Sequence, residues 1–107
     1  MIKYIITAAA ALIASPAAAQ SNDFCAALGD LAATALETRY SGGTMSGQIA
    51  VIKSIITDPD ALAVAQAIII EAYKAPAHKT PQAQAEAILE FRARWELLCY
   101  EATTDYT

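Results

Sequence analysis

Two cysteines, Cys25 and Cys99, bracket nearly all of the foldable part of this 107-residue chain. If they pair, the last structured segment must return to the place where the first one begins. A disulfide tolerates Cα atoms only about 4.4–6.8 Å apart. Whether they pair depends on the compartment, and the first twenty residues speak to that.

Met1-Ile2-Lys3 is a short positive start, Tyr4 to Ala14 carries no charge, and Ser15-Pro16-Ala17-Ala18-Ala19 ends in small residues. This is the pattern of a secretory signal peptide, with Ala17 and Ala19 as the small residues three and one before the cut and Gln20 as the new first residue. The alternative, a retained membrane helix, needs about 20 apolar residues, well beyond this run. The expectation is a leader over 1–19, a single domain over 20–107, and a periplasmic or secreted protein without stable membrane insertion once the leader is gone.

Export favours oxidation. The pair would close a loop of about 75 residues, for which chain entropy gives on the order of 4–4.5 kcal/mol. A redox or metal role would call for Cys-x-x-Cys spacing or a histidine nearby, and neither is present. The sequence therefore predicts a structural Cys25–Cys99 bridge. It matters because about half of residues 20–107 are hydrophobic and 18 of them are alanine, so the core has few large side chains.

Four helical segments are predicted, at about 24–40, 47–57, 59–74 and 81–100, with no strand alternation. Asn22 or Asp23 can cap the first, whose stripe is Phe24, Leu28, Leu31 and Ala35 with Cys25 and Ala32 beside it. Gly42-Gly43 ends it. Thr44 or Ser46 opens the second, which carries Ile49, Ile52, Ile55 and Ile56. Asp58-Pro59 and Thr80-Pro81 each read as a cap followed by proline at the first helical position. The third segment is apolar around Ile68-Ile69-Ile70, which places it near the centre of the fold. The fourth presents Gln84, Ile88, Phe91, Trp95 and Leu98 on one face, with Trp95 structural, and a polar tail from Glu101 that frays. Short connections favour an all-α, antiparallel four-helix bundle, an order that puts the two cysteines at the same end.

Chemistry-bearing constellations are sparse. His78 is the one histidine, in a proline-flanked loop without a carboxylate close in sequence, and reads as exposed and silent. Asp58 and Asp60 suit the positive end of a helix and lack the other ligands of a calcium loop. Ser41-Gly42-Gly43 and Ser46-Gly47 follow no strand and lack a phosphate-loop lysine. No catalytic residue, cofactor or metal site is predicted, and a small hydrolase is disfavoured for want of converging polar residues. A formal charge of -4 argues against nucleic acid as a partner.

The densest charge lies on Glu86, Glu90, Arg92, Arg94, Glu96 and Glu101, a solvated face or a recognition surface. Aromatic and arginine side chains dominate interface hot spots, which makes Tyr73, Arg92, Arg94 and Tyr100 the candidate partner-contact residues. Another envelope protein is the expected partner, with a homodimer as a further option.

Cys25, Leu28, Leu31, Ala32, Arg39, Gly43, Ala72-Tyr73, Pro76, Phe91 and Cys99 together form a pattern that resembles small secreted, disulfide-containing helical proteins of Gram-negative bacteria, many without an assigned function. A weaker likeness is to acid-stress chaperones of the HdeA type, which are exported, helical and held by one disulfide; this chain departs in placing its cysteines almost at its two ends. Two functions follow as expectations. One is a non-enzymatic periplasmic binding or inhibitor module, including an immunity protein, since residues 20–107 carry six Lys or Arg against eleven Asp or Glu, a net charge of -5 that steers towards a basic partner. The other is an acid-activated chaperone: with the carboxylates protonated, the same residues would carry about +8, counting His78 and the new amino terminus, and self-repulsion would open the bundle.

Overall fold

The computed structural model describes residues 16–104, with side chains from Phe24 to Thr103. Among these residues all regular structure is helical: α1 (Pro16–Tyr40), α2 (Met45–Ile55), α3 (Pro59–Lys74) and α4 (Pro81–Thr104). Residues 1–15 of the expected leader lie outside the described residues, and the expected cut after Ala19 falls within α1. No helix among them is long and apolar enough to cross a membrane.

Local chemistry sets most of the boundaries. The Asp58 carboxylate accepts from the Ala61 N–H at 2.8 Å and Thr80 Oγ1 accepts from the Ala83 N–H at 3.1 Å, each just ahead of a proline that needs no N–H partner. At α2 the cap is Thr44, whose hydroxyl accepts from the Gly47 N–H at 3.0 Å, so the helix starts and ends two residues before the expected 47–57. It stops at Ile55 because Ile56 turns extended ahead of the Asp58-Pro59 step. The α1 terminus is a Schellman arrangement: Gly43 N–H donates to Thr38 O, Gly42 N–H donates to Arg39 O, and Gly42 sits at φ 97°. Alanine at position 42 would hold that left-handed backbone at a cost of about 1–2 kcal/mol. Gly42→Ala is therefore expected to lower the urea midpoint without changing the slope.

Two expected ends are corrected. Helix α1 does not begin at an Asn22 or Asp23 cap; it runs through both from Pro16, because Ala17, Ala18, Ala19 and Gln20 are strong helix formers and nothing between Pro16 and Phe24 breaks the pattern. Helix α4 continues four residues past Tyr100 instead of fraying at Glu101, since no glycine or proline stops it.

Helix α1 shares its largest interface with α4 and a second with α3, and α2 packs on α3; neither α1 with α2 nor α3 with α4 meets to a comparable extent. Cys25 is bonded to Cys99 with Cα atoms 5.5 Å apart. Arg92 donates to Asp30 at 2.6 Å, and a Cβ on Gly29 would come within 2.6 Å of Glu96 Cγ. Residue numbers thus rise along α1 as they fall along α4, and Gly29 lets the two helices close. The core is Ala32, Ala35 and Leu36 of α1, Ile52 of α2, Ala65, Ile68, Ile69 and Ala72 of α3, and Phe91 of α4. Alanines at the α1–α3 seam bring these backbones near one another, and Leu36, Ile68 and Ile69 are the large side chains sealed from solvent. Ile70, expected with its neighbours at the centre, is instead exposed. Three residues in a row span 200° of a helix, and α1 and α2 cover only part of that arc.

Candidate functional site

Because α3 and α4 barely meet, a crevice remains between them over α1. Near the connecting loop it is a cleft of about 380 Å³ with Leu36, Ala87 and Phe91 as apolar lining and Glu71, Lys74, Glu90, Arg94 and His78 as charged or polar lining. Glu71 pairs with Lys74 at 3.9 Å, a contact within one turn of α3. The fold thus sets His78 in one cleft with two carboxylates, a proximity that its sequence neighbours did not announce. Among the described residues no serine, threonine or cysteine lines this cleft, so they offer it no hydroxyl or thiol nucleophile.

At the disulfide end the crevice turns apolar. Two cavities of about 190 and 240 Å³ share Phe24, Leu28 and Val64, and so form one trough. Leu31, Ile56 and Ala65 extend it on one side; Trp95, Leu98 and Ala102 extend it on the other. The hydroxyl of Thr103, a polar residue at its rim, donates to Tyr100 O at 2.9 Å. Trp95 Nε1 is buried without a hydrogen-bond partner among the described residues. Phe24 and Leu98 are 53% and 45% exposed, too much for the core positions their helical stripes predicted. They stay open because α3 stands too far from α4 to cover them.

The predicted contact residues are not brought together. Tyr73 is half-buried: its hydroxyl donates to Gly43 O at 2.5 Å and accepts from Gln48 Nε2 at 2.9 Å, and its ring carries the Arg39 guanidinium 5.6 Å from the centroid. Arg39 in turn donates to Ala72 O at 2.8 Å and to Ala75 O, while Gln48 Nε2 also donates to Ala35 O at 3.0 Å. These contacts tie the end of α1, the start of α2 and the end of α3 into one polar knot, so Tyr73 is a structural joint. Arg92 is engaged with Asp30 on the α1–α4 seam. Arg94 lines the loop-end cleft, and Tyr100 lies exposed on α4. The reach of Arg39 to α3 depends on a neighbour 33 residues away, which no local pattern announces.

Among the described residues no group of three or more histidine, cysteine, aspartate or glutamate side chains could hold a metal ion. Comparison with protein-family models, curated proteins and solved structures returns no match.

Proposed function

We propose that the protein is a non-enzymatic binding module of the bacterial envelope, of inhibitor or immunity type, and that it takes an apolar segment of its protein partner into the trough beside Cys25–Cys99. The observation that carries this reading is the trough itself. Phe24, Leu28, Val64, Trp95 and Leu98 present apolar surface in a concave site, the setting in which partner side chains gain most from leaving water. The disulfide fixes two of its walls in advance, which reduces the ordering cost of association. The excess of Asp and Glu over Lys and Arg favours a partner whose apolar segment is flanked by basic residues. In this reading the leader directs the chain to the periplasm or beyond, and the helices alternate in direction around the shared seam.

The test uses the oxidised protein immobilised against envelope extract. A specific partner should be retained at low salt, weakened by raising salt from about 0.05 to 0.5 M, and lost with Val64→Glu or Leu98→Glu. Both side chains are already open to solvent, so these variants keep the fold. Retention indifferent to both substitutions overturns the trough as the docking site. Capture of many unrelated unfolded chains, and only at acid pH, overturns the inhibitor reading in favour of the acid-activated chaperone.

A further inference from the structure

Helix α4 has a second apolar stripe that no other described element covers. Phe91 and Cys99 are buried against the rest of the fold, with Trp95 packed on the core. At 100° per residue the opposite side of the helix carries Leu89, Ala93 and Leu97 in steps of four, continued by Tyr100. All four are exposed, Leu89 at 65% and Leu97 at 58%. This face is separate from the trough, which lies on the inner side of α4.

The charges beside the stripe identify what fits it. Glu90 and Arg94 each follow a stripe residue by one and flank it on one side; Arg92 and Glu96 each precede a stripe residue by one and flank it on the other. If two α4 helices lie antiparallel with Ala93 against Ala93 of the partner subunit, Leu89 meets Leu97 of the partner subunit, and the reverse. In such a pair the flanking residues meet two positions out of step with the central layer, in opposite senses on the two sides. One flank then sets Glu90 against Arg94 of the partner subunit, while Arg92 and Glu96 on the other stay turned towards α1, on Asp30 and against Gly29. Two-fold symmetry makes the Glu90–Arg94 contact twice, and both copies of it join opposite charges. The small Ala93 at the axis lets the helices approach. Among the described residues Glu90 and Arg94 have no ion pair within the chain.

We infer that the outward face of α4 is a self-association surface whose occupant is a second copy of this chain, docked antiparallel about Ala93. One helix per copy lies at the small end of specific interfaces, so the dimer forms and dissociates with concentration.

Sedimentation equilibrium of the oxidised protein tests this, with circular dichroism confirming the fold of each variant. Glu90→Arg places like charges against Arg94 of the partner subunit, and Arg94→Glu does the same against Glu90 of the partner subunit. Each should raise the dimer dissociation constant at least tenfold, because each change acts twice. The double variant E90R/R94E restores both contacts and should return within threefold of the original, while Leu97→Glu should abolish association. A protein that stays monomeric up to about 1 mM, the weak end of association, overturns the inference. A dimer insensitive to the single variants, or a double variant no better than the singles, overturns it too.

Discussion

Replacing both cysteines by alanine should lower the unfolding free energy by about 4 kcal/mol and the midpoint of thermal unfolding by roughly 15–30 °C for a domain of this size. The argument rests on what the bridge spans and on what would be left without it. Cys25 and Cys99 are 74 residues apart in sequence, so their bond removes a large share of the conformations open to the unfolded chain. Without it, α4 stays on α1 through Phe91, Trp95, Ile88 and the Asp30–Arg92 pair. That pair is more than half exposed on the aspartate side and contributes less than about 1 kcal/mol.

Both sulfurs are buried among apolar neighbours, so alanine is the replacement that isolates the cross-link; serine would add two hydroxyls in need of partners. Thermal unfolding followed by circular dichroism, with and without reductant, provides the check. The reduced protein and the alanine variant should agree. A midpoint within a few degrees of the oxidised protein would show that packing along α1 alone holds α4 in place. Because Cys99 also lines the apolar trough, partner retention should fall alongside stability.

Much of this framework is legible in the chain because it rests on short-range chemistry. Asp58-Pro59, Thr80-Pro81 and Gly42-Gly43 each solve a problem local to a helix end, and the structure uses all three as their residue types suggest. The bridge is legible too, from the leader-like pattern of the first residues and from the scarcity of cysteine. Periodicity then reveals which face of a helix is apolar without revealing whether a neighbour covers it. Ile52 is buried and Ile55 is 70% exposed, although both stand in one predicted stripe. Leu36, outside its predicted stripe, is fully buried because α1 has neighbours on two sides.

The candidate contact residues lie apart from one another for a related reason. Tyrosine and arginine are as useful inside a fold, where a hydroxyl or a guanidinium can satisfy distant carbonyls, as they are at an interface. Tyr73 finds Gly43 O and Gln48, and Arg39 finds Ala72 O, across separations that no local pattern encodes. The trough could be read only once α3 was known to stand apart from α4.

Leu36→Ala is expected to cost about 3–5 kcal/mol, the upper part of the range for such truncations. The size of that cost depends on how far the surroundings can collapse into the space left behind. Here they can do little: neighbouring core positions include Ala32, Ala35 and Ala72, whose single methyl groups cannot swing inward, and their helices are pinned by the Arg39 and Tyr73 knot at one end. Leu36 also lines the loop-end cleft, so its loss would join the new void to an opening of about 380 Å³ and admit water against Phe91. Urea unfolding should show a lower midpoint with an unchanged slope, whereas Leu97→Ala, on the exposed face of α4, should stay within about 0.5 kcal/mol. Leu36 lies eleven residues from Cys25 on the same helix, about 16 Å along its axis, far enough for the two effects to add. Combining the cysteine and leucine changes therefore removes on the order of 8 kcal/mol from a fold whose total lies near 5–15 kcal/mol. The triple variant should be largely unfolded at 37 °C, while each parent still folds. A triple variant that unfolds no earlier than the cysteine variant would mean that the α1–α3 core repacks around alanine, and that the small core resists less stiffly than its alanine content implies.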